Sequence, residues 1–105
     1  MFVAAYWWKV HPGKEEQFRA AWRRGTEMIR ERYGSLGSRL HWDARNGRFV
    51  GVAEWPDRET WQAAFELHMV EDDEEVNAAF LDAVSDQPDE PLLLMEVTDD
   101  LLDRG

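Results

Sequence analysis

Cysteine is absent from this chain of 105 residues, which excludes disulfides, thiolate nucleophiles and cysteine-ligated metals. Histidine is scarce. His11, His41 and His68 have neither the paired helical spacing nor the shared strand face that metal sites use, so no metal is expected. Basic residues are few: 12 against 22 acidic ones, for a formal net charge of −10. A field of that sign repels phosphate backbones and anionic membrane surfaces. Neither a nucleic acid nor a membrane is an expected partner. No apolar run approaches the roughly 20 residues needed to span a bilayer. The opening residues lack the basic stretch and apolar segment of a secretion signal, so the cytoplasm is the expected compartment. There is no glycine-rich phosphate loop, and Ser35 and Ser38 stand in no nucleophile context.

What the chain has in quantity is aromatic surface: six Trp, five Phe and two Tyr in a sequence that is 44% hydrophobic. Disordered segments lack such residues, so a packed core is expected. The length fits one domain over residues 1–105, since domains commonly run about 100–150 residues. A domain this small buries a modest share of its surface and would benefit from subunit association.

Residues 2–10 read as a strand with two apolar faces. Phe2, Ala4, Tyr6, Trp8 and Val10 alternate with Val3, Ala5, Trp7 and Lys9. Pro12-Gly13 stops it, and residues 14–33 read as a helix with Phe18, Trp22, Gly25, Ile29 and Tyr33 on one stripe, widened by Ala21 and Met28. Glu15 and Glu16 at its start and Arg30 and Arg32 at its end suit the helix dipole, and Gly34 is the expected stop. Residues 36–43 and 48–55 alternate as strands around the hairpin signal Asn46-Gly47. Pro56 ends the second of them, and Asp57 caps a helix expected to carry Trp61, Ala64, Phe65, His68 and Met69 on one side.

The acids at 71–75 read as a solvated turn or helix start, because a calcium loop alternates its ligands around a required glycine. Val76, Ala79, Phe80, Ala83 and Val84 form a second helical stripe. Residues 87–91 read as a loop, and residues 92–97 as the last strand. Strand–helix–strand twice over is the α+β, ferredoxin-like βαββαβ arrangement, with helices on one face of an antiparallel sheet. The helices of so short a chain cover one face only. The other apolar face calls for a second subunit, so a homodimer is expected.

The opening Pro12-Gly13-Lys14-Glu15-Glu16, the segment from Gly34-Ser35-Leu36-Gly37 to His41, and Glu54-Trp55-Pro56-Asp57-Arg58-Glu59-Thr60-Trp61 resemble the antibiotic biosynthesis monooxygenase (ABM) family over roughly residues 2 to 70. The resemblance implies a dimeric α/β barrel built from two facing sheets, with the pocket of catalytic members between sheet and helices. Some members oxidise aromatic polyketides with no metal or flavin, others degrade haem. The haem degraders pair an Asn on the first strand and a Trp ending the third with a His on the second helix. Here Trp55 matches the Trp, Tyr6 stands at the Asn position, and the histidine position falls near Glu66, with His68 close by. Haem degradation is therefore disfavoured. The polyketide oxidisers place an Asn four residues before the Trp, where this chain has Gly51.

The implied function is a cofactor-independent monooxygenase acting on a planar aromatic or quinol-type molecule. His68 is the candidate general base and Tyr6 a hydrogen-bonding catalytic partner, with Trp55, Trp61 and Phe65 holding substrate. The alternative is a non-catalytic binding or interaction module in which the same aromatics are core and His68 is a structural histidine. Arg39 and His41 either pair with Glu54 across the hairpin or bind an anionic group. His11, beside Pro12, is expected at the surface.

Overall fold

The computed structural model describes residues 1–69 and 72–103. Eight elements follow one another: β1 (Phe2–Val10), α1 (Glu15–Tyr33), β2 (Gly37–Asp43), β3 (Arg48–Trp55), α2 (Arg58–Glu66), α3 (Glu74–Ala83), β4 (Val84–Asp86) and β5 (Leu93–Glu96). The fold is the α+β, ferredoxin-like arrangement with an antiparallel sheet in the order β2-β3-β1-β4. The outer edge of β1 is shared end to end: β5 pairs with Phe2 to Ala5, and β4 with Lys9 and Val10.

Two details depart from the sequence expectation. Val84 does not close the second stripe as a helical residue but opens β4, and His11 N–H bonds to the Ala83 carbonyl at 2.9 Å. The β-branched Val84 suits a pleated edge, and pairing with Val10 satisfies backbone that a longer helix would carry past the sheet. Second, α2 stops at Glu66, so His68 lies beyond it rather than on it. Leu67 caps the helix through the Ala63 and Phe65 carbonyls, and His68 takes a left-handed backbone, φ 54°. Histidine tolerates that conformation better than most side chains. No glycine announced this stop, so the apolar spacing ran on past it. Glu71 lies outside the described residues; Asp73, from the same acidic run, caps α3 by accepting from Glu75 and Val76 N–H.

The ends of the helices form as the sequence indicates. Gly34 closes α1 at φ 80°, a left-handed conformation that glycine adopts without steric cost. Asp57 caps α2 by accepting from Thr60 N–H at 2.7 Å and its hydroxyl at 2.6 Å. On the β2–β3 hairpin, Asp43 accepts from Asn46 and from Arg48, tying both ends of the turn.

Antiparallel register sorts side chains between the two faces of the sheet. β1 pairs with β3 as Phe2↔Trp55, Ala4↔Ala53, Tyr6↔Gly51 and Trp8↔Phe49, and partners so paired share a face. Beneath the helices lies one cluster of Phe2, Ala4, Trp55, Trp61, Ala64 and Met69, joined by Tyr6, Ile29 and Tyr33. Trp8, Phe18, Phe49 and Phe80 form a second, with ring centroids 5.0–5.6 Å apart. The opposite face carries Val3, Ala5 and Trp7 against Val50 and Val52. There Leu93 and Met95 remain 49% and 43% exposed, and the Arg48 guanidinium lies 5.2 Å from the Trp7 ring centre.

Ion pairs fasten α1 to α3 at both ends. Lys14 Nζ lies 2.8 Å from Asp82, which also accepts from Gln17, and Arg32 lies 2.8 Å from Asp72. Hydrogen bonds from Lys14 hold the Asp82 carboxyl below its ordinary range, those from Arg32 do so for Asp72, and those from Thr60 do so for Asp57. Each titrates lower in the folded chain than in the unfolded one. Their stabilisation is therefore complete above the ordinary carboxylate pKa of about 4 and is lost as pH falls through the depressed values. We expect the urea midpoint to drop between about pH 5 and pH 2, and the double variant Asp72→Asn, Asp82→Asn to flatten that drop. An acid limb of unchanged slope in the double variant would show that these pairs contribute nothing.

Candidate functional site

Between the sheet and its helices lies a cavity of about 370 Å³, within the roughly 300–1,000 Å³ usual for small-molecule sites. The sheet contributes Tyr6, Trp8, Gly51, Ala53 and Trp55 to its wall; α1 contributes Trp22 and Ile29; α3 contributes Val76 and Phe80. Phe65, His68 and the loop over residues 87–91 complete it. Members of both aromatic clusters thus line one space.

Each aromatic reaches the wall for an identifiable local reason. Tyr6 and Trp8 alternate onto the helix side of β1, and their rings stack with centroids 6.2 Å apart. Gly51 makes room for them: a Cβ there would meet the Trp8 ring at 2.9 Å. A side chain at position 51 and the present seat of Trp8 are mutually exclusive. The glycine at the position where polyketide oxidisers carry Asn is therefore a packing requirement of this chain.

The five candidate residues divide between wall and core. Tyr6, Trp55, Phe65 and His68 line the cavity. Trp61 is buried in the core and is not part of the wall; its indole N–H donates to the Tyr6 hydroxyl oxygen at 2.8 Å. Trp61 therefore holds Tyr6 rather than facing the space itself. Because the Tyr6 oxygen already accepts that bond, its own hydrogen is left for another acceptor. Burial raises the Tyr6 phenol above its ordinary pKa, and the Trp61 bond partly offsets the rise. Tyr6 is thus a neutral donor at physiological pH.

Trp55 is 1% exposed, and its indole N–H lacks a hydrogen-bond partner among the described residues. Such a donor costs about 1–3 kcal/mol when left unpaired. His68 sits at the exposed rim, beside Phe65, which stacks on Trp61 with centroids 5.2 Å apart. Two further wall residues, Trp22 and Gly51, belonged in the sequence reading to a helical stripe and a strand. The signal that marks them is spatial, since Trp22 comes over Gly51 only when α1 crosses β3.

His41 and Arg39 are on the opposite face of the sheet, away from the cavity. The His41 Nδ1 lies 3.1 Å from the Val50 carbonyl oxygen, and both His41 and His11 are exposed. Among the described residues no group of three His, Cys, Asp or Glu side chains could hold a metal ion, and no helix is long and apolar enough to cross a membrane.

Residues 1–73 match the family model for antibiotic biosynthesis monooxygenase. The chain belongs to that family. No curated protein matches its sequence, but solved structures share its fold. A Deinococcus radiodurans protein, a candidate antibiotic biosynthesis monooxygenase, aligns over 100% of both chains at 15% identity, with a TM-score of 0.71. A variant of SnoaB, a cofactor-independent oxygenase from Streptomyces nogalater, aligns over 97% of both chains at 14% identity and TM-score 0.67. Rv0793 from Mycobacterium tuberculosis aligns over 96% of this chain and 98% of its own, at 13% identity and TM-score 0.65. At such identities the likeness is one of fold; family membership rests on the match over residues 1–73, the stretch that carries Tyr6, Gly51, Trp55 and His68.

The state of Tyr6 is directly measurable. Tyr33 is the other tyrosine, so a Tyr33→Phe variant isolates it. In that variant the phenolate absorbance should rise with a midpoint above pH 10, with Trp61→Phe raising the midpoint further by removing the bond to the phenolate. A midpoint at or below 10 would mean that Tyr6 is solvated rather than enclosed.

Proposed function

We propose that this ABM family member is a cofactor-independent monooxygenase for a planar aromatic, quinol-type molecule. The observation that carries the reading is the aromatic-walled cavity lined by both a neutral hydroxyl donor, Tyr6, and an imidazole, His68. The two polar groups complement the stages of such a reaction. The imidazole removes a proton from an activated phenol, leaving an electron-rich anion. The Tyr6 hydroxyl donates to the oxygen on which that charge resides. The anion reduces O₂ without any other reductant. The ring C–H opposite the phenol oxygen becomes C=O and that oxygen itself becomes a carbonyl, so one oxygen atom of O₂ stays on carbon and the other leaves as water with the ring hydrogen and the phenolic proton. The enclosing aromatics position the ring and exclude bulk water.

Replacing His68 by Asn keeps a residue that tolerates the left-handed backbone and removes the base. His68→Asn should lower quinol-dependent oxygen uptake about 100-fold or more while leaving the melting temperature near that of the parent. Trp55→Ala should instead cost about 3–5 kcal/mol of stability as a core truncation. Oxygen uptake unchanged in His68→Asn would remove His68 from the chemistry.

One observation favours a second reading, a binding module without catalysis. The His68 ring has no hydrogen-bond partner among the described residues to fix its tautomer, whereas catalytic bases are usually oriented by one. Tight binding of a quinol with no oxygen uptake by the parent protein would select that reading.

The protein is proposed to act as a homodimer through the sheet face bearing Val3, Trp7, Val52, Leu93 and Met95. These residues form an apolar patch on that face, and such patches mark interaction surfaces. Sedimentation at micromolar concentration should give twice the mass of the 12.3 kDa chain, and Leu93→Lys with Met95→Lys should give monomers. A parent protein that sediments as a monomer would overturn the assembly.

A further inference from the structure

Trp22, like Trp55, is a cavity residue whose indole N–H is unspent. Its indole Nε1 lies 3.4 Å from the point a Cβ on Gly51 would occupy, beside the six-membered ring of Trp8. It makes no hydrogen bond within the protein among the described residues. Directly below, Tyr6 is the register partner of Gly51, with its oxygen already accepting from Trp61. One donor from the helix layer and one from the sheet layer thus face the same space, and both lack a protein acceptor for their hydrogens. The surroundings are the apolar side chains of Ile29, Ala53, Val76 and Phe80, which supply no acceptor for the Trp22 N–H.

Charge narrows the matching ligand. Two neutral donors call for acceptor atoms on the occupant. The chain's net charge of −10 and the carboxylates of Asp89 and Glu90 at the cavity wall oppose an anionic group such as a carboxylate or phosphate. An uncharged carbonyl or phenolic oxygen satisfies both conditions. The far edge of the Trp8 six-membered ring fills the place a side chain at Gly51 would take and puts an aromatic group beside the donor.

We propose that Trp22 is a positioning residue whose N–H holds a carbonyl or phenolic oxygen of an uncharged, planar aromatic ligand of the quinone class. The proposal rests on the cavity being the ligand site and adds the group that orients the occupant within it. It also assigns a role to Gly51, whose missing side chain leaves the Trp22 N–H uncovered.

The test compares two probes of one skeleton: menadione, which carries two carbonyl oxygens, and methylnaphthalene, which carries none. Binding is measured by equilibrium dialysis against the parent protein and Trp22→Phe, a change that keeps an aromatic ring and deletes the N–H. The parent should bind menadione roughly tenfold or more tighter than methylnaphthalene, the worth of one buried hydrogen bond. Trp22→Phe should remove most of that preference while leaving methylnaphthalene affinity unchanged, and Trp22→His, which restores a ring N–H, should recover part of it. Equal weakening of both probes, or no effect on either, would make Trp22 a plain apolar wall and overturn the assignment. If the parent binds neither probe, the reading of the cavity as a ligand site fails and this one falls with it. Should Trp22→Phe not fold, Gly51→Ala supplies the second measurement. By pushing the Trp8 ring toward Trp22 it should reduce menadione affinity more than methylnaphthalene affinity, and equal loss for the two would again overturn the assignment.

Discussion

The pairing of β1 with β3 is the constraint from which the rest of the structure follows. Side chains alternate between the faces of a sheet, so a slip of one residue exchanges every inward group for an outward one. In the observed register Phe2, Ala4, Tyr6 and Trp8 lie opposite Trp55, Ala53, Gly51 and Phe49. A slip would put Val3, Ala5 and Trp7 under the helices. Trp61 would then lose the hydroxyl to which it donates. The bulk of Trp8 set against the absence of any side chain at Gly51 works against the slip, because no other residue of β3 offers that ring the same room. Core packing and cavity shape are thus fixed by one choice of register.

Much of this was legible in the sequence. The β-strand alternation at 2–10 and 48–55, the stop at Gly34 and the cap at Asp57 are local signals, each written in the residues that act on it. The placement of Tyr6 and Trp55 on one face follows from counting along two strands. What was hidden depends on contacts between residues distant in the chain. Val84 reads as the end of an apolar stripe until Val10 is there to pair with it. His68 continues a helical spacing because nothing in residues 66–68 marks the stop; the bond of its N–H to the Phe65 carbonyl, three residues back, and its left-handed backbone decide it. Trp61 looks like any aromatic on a helical stripe, and only the position of the Tyr6 hydroxyl shows that its N–H is committed.

The same distinction separates family from function. The stretch matching the ABM family supplies the architecture, and within it this chain has its own solution at the cavity floor. A tyrosine stands on the first strand, a glycine lies four residues before the final tryptophan of β3, and an indole from α1 covers the gap. Fold and chemistry are separable in general. Here the separation can be located at a handful of side chains held on a shared frame.

The shared edge of β1 has a mechanical consequence for the cavity. The loop over residues 87–91 that forms part of the wall leaves from β4 and returns to β5, and both strands pair with β1. Leu92 N–H bonds to the Ala5 carbonyl at 2.8 Å, while Pro88 and Pro91 restrict the backbone between the anchors. The wall is therefore moored at both ends to the strand that carries Tyr6 and Trp8. Displacing those anchors would break ladder bonds on that strand. The rim and the floor of the cavity thus share one set of anchors.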